Sequence, residues 1–411
     1  MSTDMNARTT GGPAQGPDDV PDRVRALRAR VKEFVVDLVE PAEPVLHEGG
    51  PEADVLMGRL QRQAREAGLW AIGHPEHLGG GGLPFLDYVH VNEVQGRSEF
   101  GQVALGTFTL QDSLMLDRYA SEEWREKYLR PIVEAEFWPS FAMTEPGIAG
   151  SDPTRLRTSA VVDGDAWVIN GRKWFTTGAQ HARYTTVMVR TETDAPVHES
   201  FSLIIVPTDD PGYRIVRDTP VLGMASDHCE VAYEDLRVPL ANTLGPRGAG
   251  FRIAQERLGP GRIFHAMRWL GQAQRAFDLM CHRLNQREAH GSRLADKQLM
   301  QQHVFDSWTE IQSARLMTLA AARRMDAGDQ ARVEIGALKV AGARVLHDVV
   351  DRALQVYGAE GLTDDTPLSR MYRAARLARF YDGPDEVHIQ SVATRLLRGY
   401  DAGREWDFGD R

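Results

Sequence analysis

The chain has 411 residues, 42% of them apolar, which is too long for one ordinary domain and apolar enough for two or three packed cores. Its formal net charge of −10 argues against a nucleic-acid-binding surface, and its two cysteines, Cys229 and Cys281, imply no disulfide framework. That cysteine usage fits a reducing cytoplasm, and no apolar run approaches the ~20 residues that a bilayer span needs.

Residues 1–22 are rich in Gly, Pro, Asp and Thr and lack the basic start and apolar run of a signal peptide, so they read as a disordered tail. From Val24 the pattern is helical: Val24, Leu27, Val31, Phe34, Val35 and Leu38 recur at helical spacing, and Pro41 is expected to end the run. Further helices are expected over 53–66, 86–94, 110–119 and 122–134. Residues 23–138 therefore read as an α-helical domain.

The texture changes at Phe141. Asp163-Gly164 and Asn170-Gly171 are two hairpin signals around a short alternating strand. Strands are also expected over 184–190, 201–206, 213–216 and 230–233, making 139–249 a β domain. Long helical patterns return over 250–400, and Leu338, Val345, Val349 and Leu354 lie on a helix ending at Gly358. Several long helices in sequence suggest a bundle. Residues 401–411 form a C-terminal tail.

Two segments carry the chemistry. Thr144-Glu-Pro-Gly-Ile-Ala-Gly-Ser-Asp152 brings glycines and hydroxyls into one loop, where a backbone can approach a planar ligand and donate to oxyanions. Tyr381-Asp-Gly-Pro-Asp-Glu-Val-His388 has turn and helix-start chemistry around Asp382. Taken alone, the first is an ordinary Gly/Pro loop and the second an ordinary turn. Gly171-Arg-Lys-Trp-Phe-Thr-Thr-Gly178 lies between them with two adjacent aromatics, which on a strand face opposite sides. Gly79–Gly82 lacks the Lys-Ser/Thr of a P-loop, no His/Cys spacing suggests a metal, and there is no G-x-S-x-G elbow.

In this order, the segments resemble the acyl-CoA dehydrogenase family from about Val24 to Leu397. The resemblance implies a mainly α fold with a central β domain: an N-terminal helical domain, a middle β-barrel or sheet domain and a C-terminal four-helix bundle. It also implies FAD. Phe141, Met143, Thr144, Ser151, Phe175 and Thr177 would border the flavin and its pyrophosphate, with Pro384 and Glu386 on the same cofactor. Phe175 stands where the family usually has Trp, and Ile148 is an extra residue in the loop. Arg287, in an R-x-x-H-G form of the family motif, would reach FAD across a subunit interface, as would Gln355 and Gly358; Gln298 matches a nearby FAD-contacting Gln.

For the substrate, the resemblance implies Ser151, Arg262 and Gly383 on an acyl-CoA or acyl carrier protein thioester. Asp382 would be the catalytic base, replacing the usual Glu, and burial beside the acyl chain is expected to raise its pKa. The implied reaction is α,β-dehydrogenation to a trans-2-enoyl thioester by a homotetramer or dimer that passes electrons to an electron-transfer flavoprotein. The alternatives are an acyl oxidase or monooxygenase on the same fold, or a non-catalytic acyl-CoA-binding protein.

Overall fold

The computed structural model describes residues 20–404; most of the expected N-terminal tail and the last seven residues of the C-terminal one lie outside these. The first part is helical: α1 (Asp22–Phe34), α2 (Glu40–Glu48), α3 (Gly50–Glu66), α4 (Phe85–Gln95), α5 (Gly101–Ala104), α6 (Leu110–Tyr119), α7 (Glu122–Trp124) and α8 (Arg130–Val133). Pro41 does not end the first run. The helical backbone continues from α1 through a π turn over Val35–Val39 into α2, and Pro41, which has no N–H to donate, sits just past that turn. A second π turn, Arg125–Leu129, splits the helix expected over 122–134.

The middle part is one eight-stranded sheet: β1 (Trp138–Ala142), β2 (Ser159–Asp163), β3 (Ala166–Thr177), β4 (Ala182–Arg190), β5 (Phe201–Pro207), β6 (Tyr213–Asp218), β7 (His228–Pro239) and β8 (Thr243–Leu244). Its order is β6-β7-β3-β1-β4-β5-β8, with β2 pairing β3 and β4. Asp163-Gly164 opens a tight hairpin, with Asp163 opposite Ala166. Asn170-Gly171 does not: it lies inside β3, where the register against β7 slips between Ile169 and Gly171. The Asn170 side chain bonds Asp235 across that bulge, so a local turn signal was overridden by strand pairing on both sides.

The chain ends in α9 (Gly250–Gln286), a short hairpin of β9 (Glu288–Ala289) and β10 (Ser292–Arg293), then α10 (Gln298–Asp326), α11 (Arg332–Tyr357), α12 (Leu368–Leu377) and α13 (Asp385–Asp401). One apolar core joins the N-terminal helices to this bundle, so the two helical parts are a single packed body flanking the sheet. Helices α4 and α9 touch through Gly271, where a Cβ would come 2.0 Å from the Glu93 carbonyl oxygen. Among the described residues no helix is long and apolar enough to cross a membrane.

The ring of His74 is fully buried, 3.3 Å from Thr109 Oγ1, and burial pushes its pKa down to about 4. The unfolded chain binds this proton near pH 6.5 and the folded protein only near 4. Stability is therefore unaffected by this group above neutral pH and falls as pH drops from 6.5 towards 4, by at most about 3 kcal/mol. Replacing His74 with Gln should shallow the fall in Tm between pH 6.5 and 4.5. An unchanged slope would place the proton uptake elsewhere.

Candidate active site

β1 leads directly into the glycine-containing loop, and a buried ion pair ties that loop to β3. Lys173, fully buried, donates to the Met143 carbonyl at 2.8 Å and to Glu145 at 2.9 Å. The Glu145 carboxylate also accepts the Arg157 and Thr158 N–H groups at 2.7 and 2.8 Å. Burial pushes Lys173 down to about 8 against the pull of Glu145. Burial pushes Glu145 up, but Lys173 and these N–H donors hold it below its ordinary value. Both groups are thus charged at neutral pH. Thr144 donates from Oγ1 to the Trp174 carbonyl at 2.7 Å, and Trp174 N–H returns to the Thr144 carbonyl at 3.0 Å.

The expected alternation of Trp174 and Phe175 fails here. The register against β7 shifts between Lys173 and Thr176, and Phe175 has φ +50°, so the two rings meet edge-on with centroids 4.9 Å apart. Phe175 nevertheless keeps 40% of its surface exposed beside the loop. Thr177, also exposed, holds its hydroxyl 3.0 Å from His228 Nδ1. Ser151 is exposed at the far end of the loop, and its N–H and that of Gly150 have no protein acceptor among the described residues. An uncovered aromatic face, hydroxyls and free backbone donors suit a planar ring system carrying phosphates. The residues present therefore fit FAD.

The second segment is the turn between α12 and α13. Asp382 has φ +55° and Gly383 φ +98°; a Cβ on Gly383 would come 2.8 Å from His388 Nε2. Backbone contacts hold the turn. The Asp382 carbonyl accepts Arg262 Nε at 3.2 Å and lies 3.0 Å from His388 Nε2, and Lys339 donates to the Gly383 carbonyl at 2.6 Å. Lys339 is fully buried and pushed down to about 8 by that burial, with Asp385 and Asp382 opposing. Pro384 is the N-cap of α13, the exposed Glu386 lies in its first turn, and Asp385 is buried against Arg379 at 2.8 Å.

The carboxylate of Asp382 lies 3.1 Å from His265 Nε2. Burial pushes it up, as expected from the sequence, but His265, Arg262 and Arg257 together pull it below the usual carboxylate range. The expectation of a raised pKa is thus corrected: a half-buried carboxylate beside two guanidiniums and an imidazole N–H is more easily ionised than one beside an acyl chain alone. The Asp382 N–H has no protein acceptor among the described residues.

Helix α9 brings the two segments together. Arg257 stacks over the Phe141 ring at 4.6 Å, pairs with Asp112 at 3.1 Å and acts on Asp382. One turn on, Arg262 reaches the Asp382 turn. Not brought here are Arg287, at the end of α9, Gln298 at the start of α10, and Gln355 and Gly358 at the end of α11. They lie at the opposite end of the bundle, where Arg283 pairs with Glu360 at 2.6 Å and stacks on Tyr357. Glu256, also on α9, is a surface ion-pair partner of Arg252 and Arg118. Sequence reasoning missed Glu145, Lys339, Arg257 and His265 as site residues. A lysine flanked by strand residues and another inside an apolar helix were the available signals.

This three-part architecture, helices then sheet then bundle with the site against α9, defines the class of protein. The acyl-CoA dehydrogenase N-terminal, middle and C-terminal domain models match residues 21–136, 140–236 and 248–397. The chain belongs to the acyl-CoA dehydrogenase family, an oxidoreductase family, and acyl-CoA dehydrogenation is the activity this membership supports. It is 41% identical to the protein named probable acyl-CoA dehydrogenase FadE2 of Mycobacterium tuberculosis, over 90% of this chain and 94% of that one. To human acyl-CoA dehydrogenase family member 11 it is 36% identical, over 90% of this chain but 50% of that protein, so it spans about half the length of that relative. Among solved structures, an acyl-CoA dehydrogenase from Geobacillus kaustophilus superposes with a TM-score of 0.82 at 28% identity, covering 92% of this chain and 99% of that one. A Mycobacterium abscessus protein described as a putative acyl-CoA dehydrogenase gives 0.87 at 34% identity, covering 92% of this chain and 98% of that one.

Proposed function

We propose that this enzyme converts an acyl-CoA to its trans-2-enoyl thioester, with Asp382 as the base and FAD as the cofactor. FAD, when bound, supplies the acceptor for the β hydride. Met143, Thr144, Phe141, Phe175 and Thr177 would hold its ring, and Ser151 its pyrophosphate with the loop N–H groups. Pro384 and Glu386 would close on it from the start of α13. Arg262 and Gly383 would bind the thioester, with Ser151 on the CoA arm.

The observation that carries the reading is the Asp382 turn. Its N–H is unspent, so it would be free to donate to the thioester oxygen as that atom gains charge, while its carboxylate, held below the usual range, would take the α proton. The side chain keeps 23% of its surface accessible, so substrate entry strips it of water and strengthens it as a base on arrival. A non-catalytic binder of acyl-CoA has no use for a carboxylate so held, and monooxygenase chemistry does not call for an α-proton base; an acyl oxidase would share the base and differ only in what reoxidises the flavin.

The electrons end on an electron-transfer flavoprotein. Arg287 lies roughly 37 Å along α9 from Arg262 at 1.5 Å per residue, too far to serve the same cofactor end. As the family resemblance implies, Arg287, Gln298, Gln355 and Gly358 would instead serve a neighbouring chain's FAD, in a dimer or tetramer. The buried thiol of Cys229 and the half-buried one of Cys281 fit a reducing compartment, the cytoplasm.

The test is anaerobic addition of a panel of acyl-CoAs and acyl carrier protein thioesters to the purified protein. The fitting substrate should bleach the flavin absorbance and be recovered as the enoyl thioester. A colourless protein that cannot be reconstituted with FAD would overturn the reading. Light scattering that found a fully flavinylated monomer would overturn the shared site.

A further inference from the structure

Behind Asp382, α9 carries a pair of residues that neither the flavin loop nor the catalytic turn accounts for, His265 and Arg268. Arg268 Nη2 lies 2.7 Å from His265 Nδ1. A guanidinium has no lone pair to offer, so Nδ1 must be the acceptor and the ring's hydrogen sits on Nε2. Nε2 in turn lies 3.1 Å from Asp382 Oδ2. The ring is held in place by Trp269, stacked at 5.8 Å between centroids, and by Tyr381 at 5.0 Å, and these two are joined by a 2.5 Å hydrogen bond from Trp269 Nε1 to the Tyr381 hydroxyl. Burial and Arg268 hold His265 below its ordinary pKa, which agrees with a neutral ring.

We propose that His265, fixed as its Nε2–H tautomer by Arg268, is the positioning residue that turns the Asp382 carboxylate so that Oδ1 receives the substrate's α proton. This rests on Asp382 being the base. Among the described residues, His265 is the side chain that pairs with the carboxylate itself. Arg262 and His388 reach the Asp382 carbonyl, Lys339 the carbonyl of Gly383, and Arg257 is paired with Asp112. Tyr381 faces the group from its own turn.

The same lock governs the proton's fate. When the α C–H bond breaks and the Oδ1–H bond forms, His265 cannot take that proton onward. Its Nε2 already carries hydrogen, and its Nδ1 lone pair is spent on Arg268. The proton stays on Asp382 until product leaves.

The experiment measures flavin reduction by substrate under anaerobic stopped flow, from pH 6 to 8, in the holoenzyme. His265→Phe keeps the ring stack and removes the donor. It should slow reduction about tenfold or more, in the range a misplaced catalytic group costs, with substrate Kd and flavin content nearly unchanged. His265→Gln, whose amide N–H can stand near the Nε2 position, should recover most of that loss. Arg268→Met frees Nδ1, so the ring can protonate, and reduction should slow as pH falls through about 6.5, where the wild type is flat. Histidine ¹⁵N spectra, compared with His265→Gln to find the signal, should show the Nε2–H tautomer in wild type and its loss in Arg268→Met. Equal rates in His265→Phe and wild type, while Asp382→Asn is inactive, would overturn this inference alone. An active Asp382→Asn would overturn the assignment of the base. Should His265→Phe not fold, a wild-type pH profile and tautomer signal in Arg268→Met would overturn the inference just as well.

Discussion

Asp382→Asn should slow flavin reduction by acyl-CoA at least ~100-fold, the low end for loss of a general base, and leave FAD bound. The structure makes this a clean substitution. The turn is held through the carbonyls of Asp382 and Gly383, by Arg262, His388 and Lys339, not through the carboxylate. Asn tolerates the left-handed φ of +55° about as well as Asp, so the backbone need not move. Asp382→Glu is less innocent. It puts a longer, less tolerant side chain on the same φ and pushes its carboxylate past His265, so it should retain only a fraction of activity. Because cations hold Asp382 below the usual range, it stays ionised as pH falls through the weakly acid range. Wild-type reduction should therefore lose nothing to this group between pH 8 and 5. An Asn variant that reduces its flavin at the wild-type rate would make Asp382 a turn residue.

Lys173→Met should cost both stability and cofactor. Lys173 and Glu145 have 0% and 4% of their side-chain surfaces accessible, so no solvent screens the charge left behind. Breaking a buried pair by removing one partner typically costs about 3–5 kcal/mol. The loss also falls on function, since Lys173 holds the Met143 carbonyl and, through Glu145, the N–H groups of Arg157 and Thr158. With the latch gone, the loop from Met143 to Asp152 loses its fixed distance from Phe175. A thermal melt and the flavin-to-protein ratio after gel filtration would report the two effects. Unchanged values of both would show that the loop is held by Thr144 and Trp174 alone.

Much of this protein was legible without coordinates. The order of helices, strands and helices follows from hydrophobic periodicity, because a 3.6-residue repeat cannot lie flat on a sheet and a two-residue repeat cannot face one side of a helix. The Gly/Pro loop before the sheet and the turn at Asp382 were visible because their chemistry is local. Local signals misled where pairing partners decided the outcome. Asn170-Gly171 became a bulge because β7 binds the strand on both sides of it, and Pro41 did not stop the chain because a π turn had shifted the hydrogen-bond ladder before it.

What only the tertiary structure decided is the electrostatics of the site. The sign of the Asp382 shift depends on Arg257, Arg262 and His265, more than a hundred positions away along the chain and brought beside it by α9. Burial alone, which composition can suggest, would have raised that pKa. Charges supplied by a neighbouring helix reversed it, and no spacing in the sequence records which helix will be the neighbour. The Lys173–Glu145 latch has the same origin: each residue looks ordinary on its own segment, and only the pairing of loop to strand makes them one buried pair.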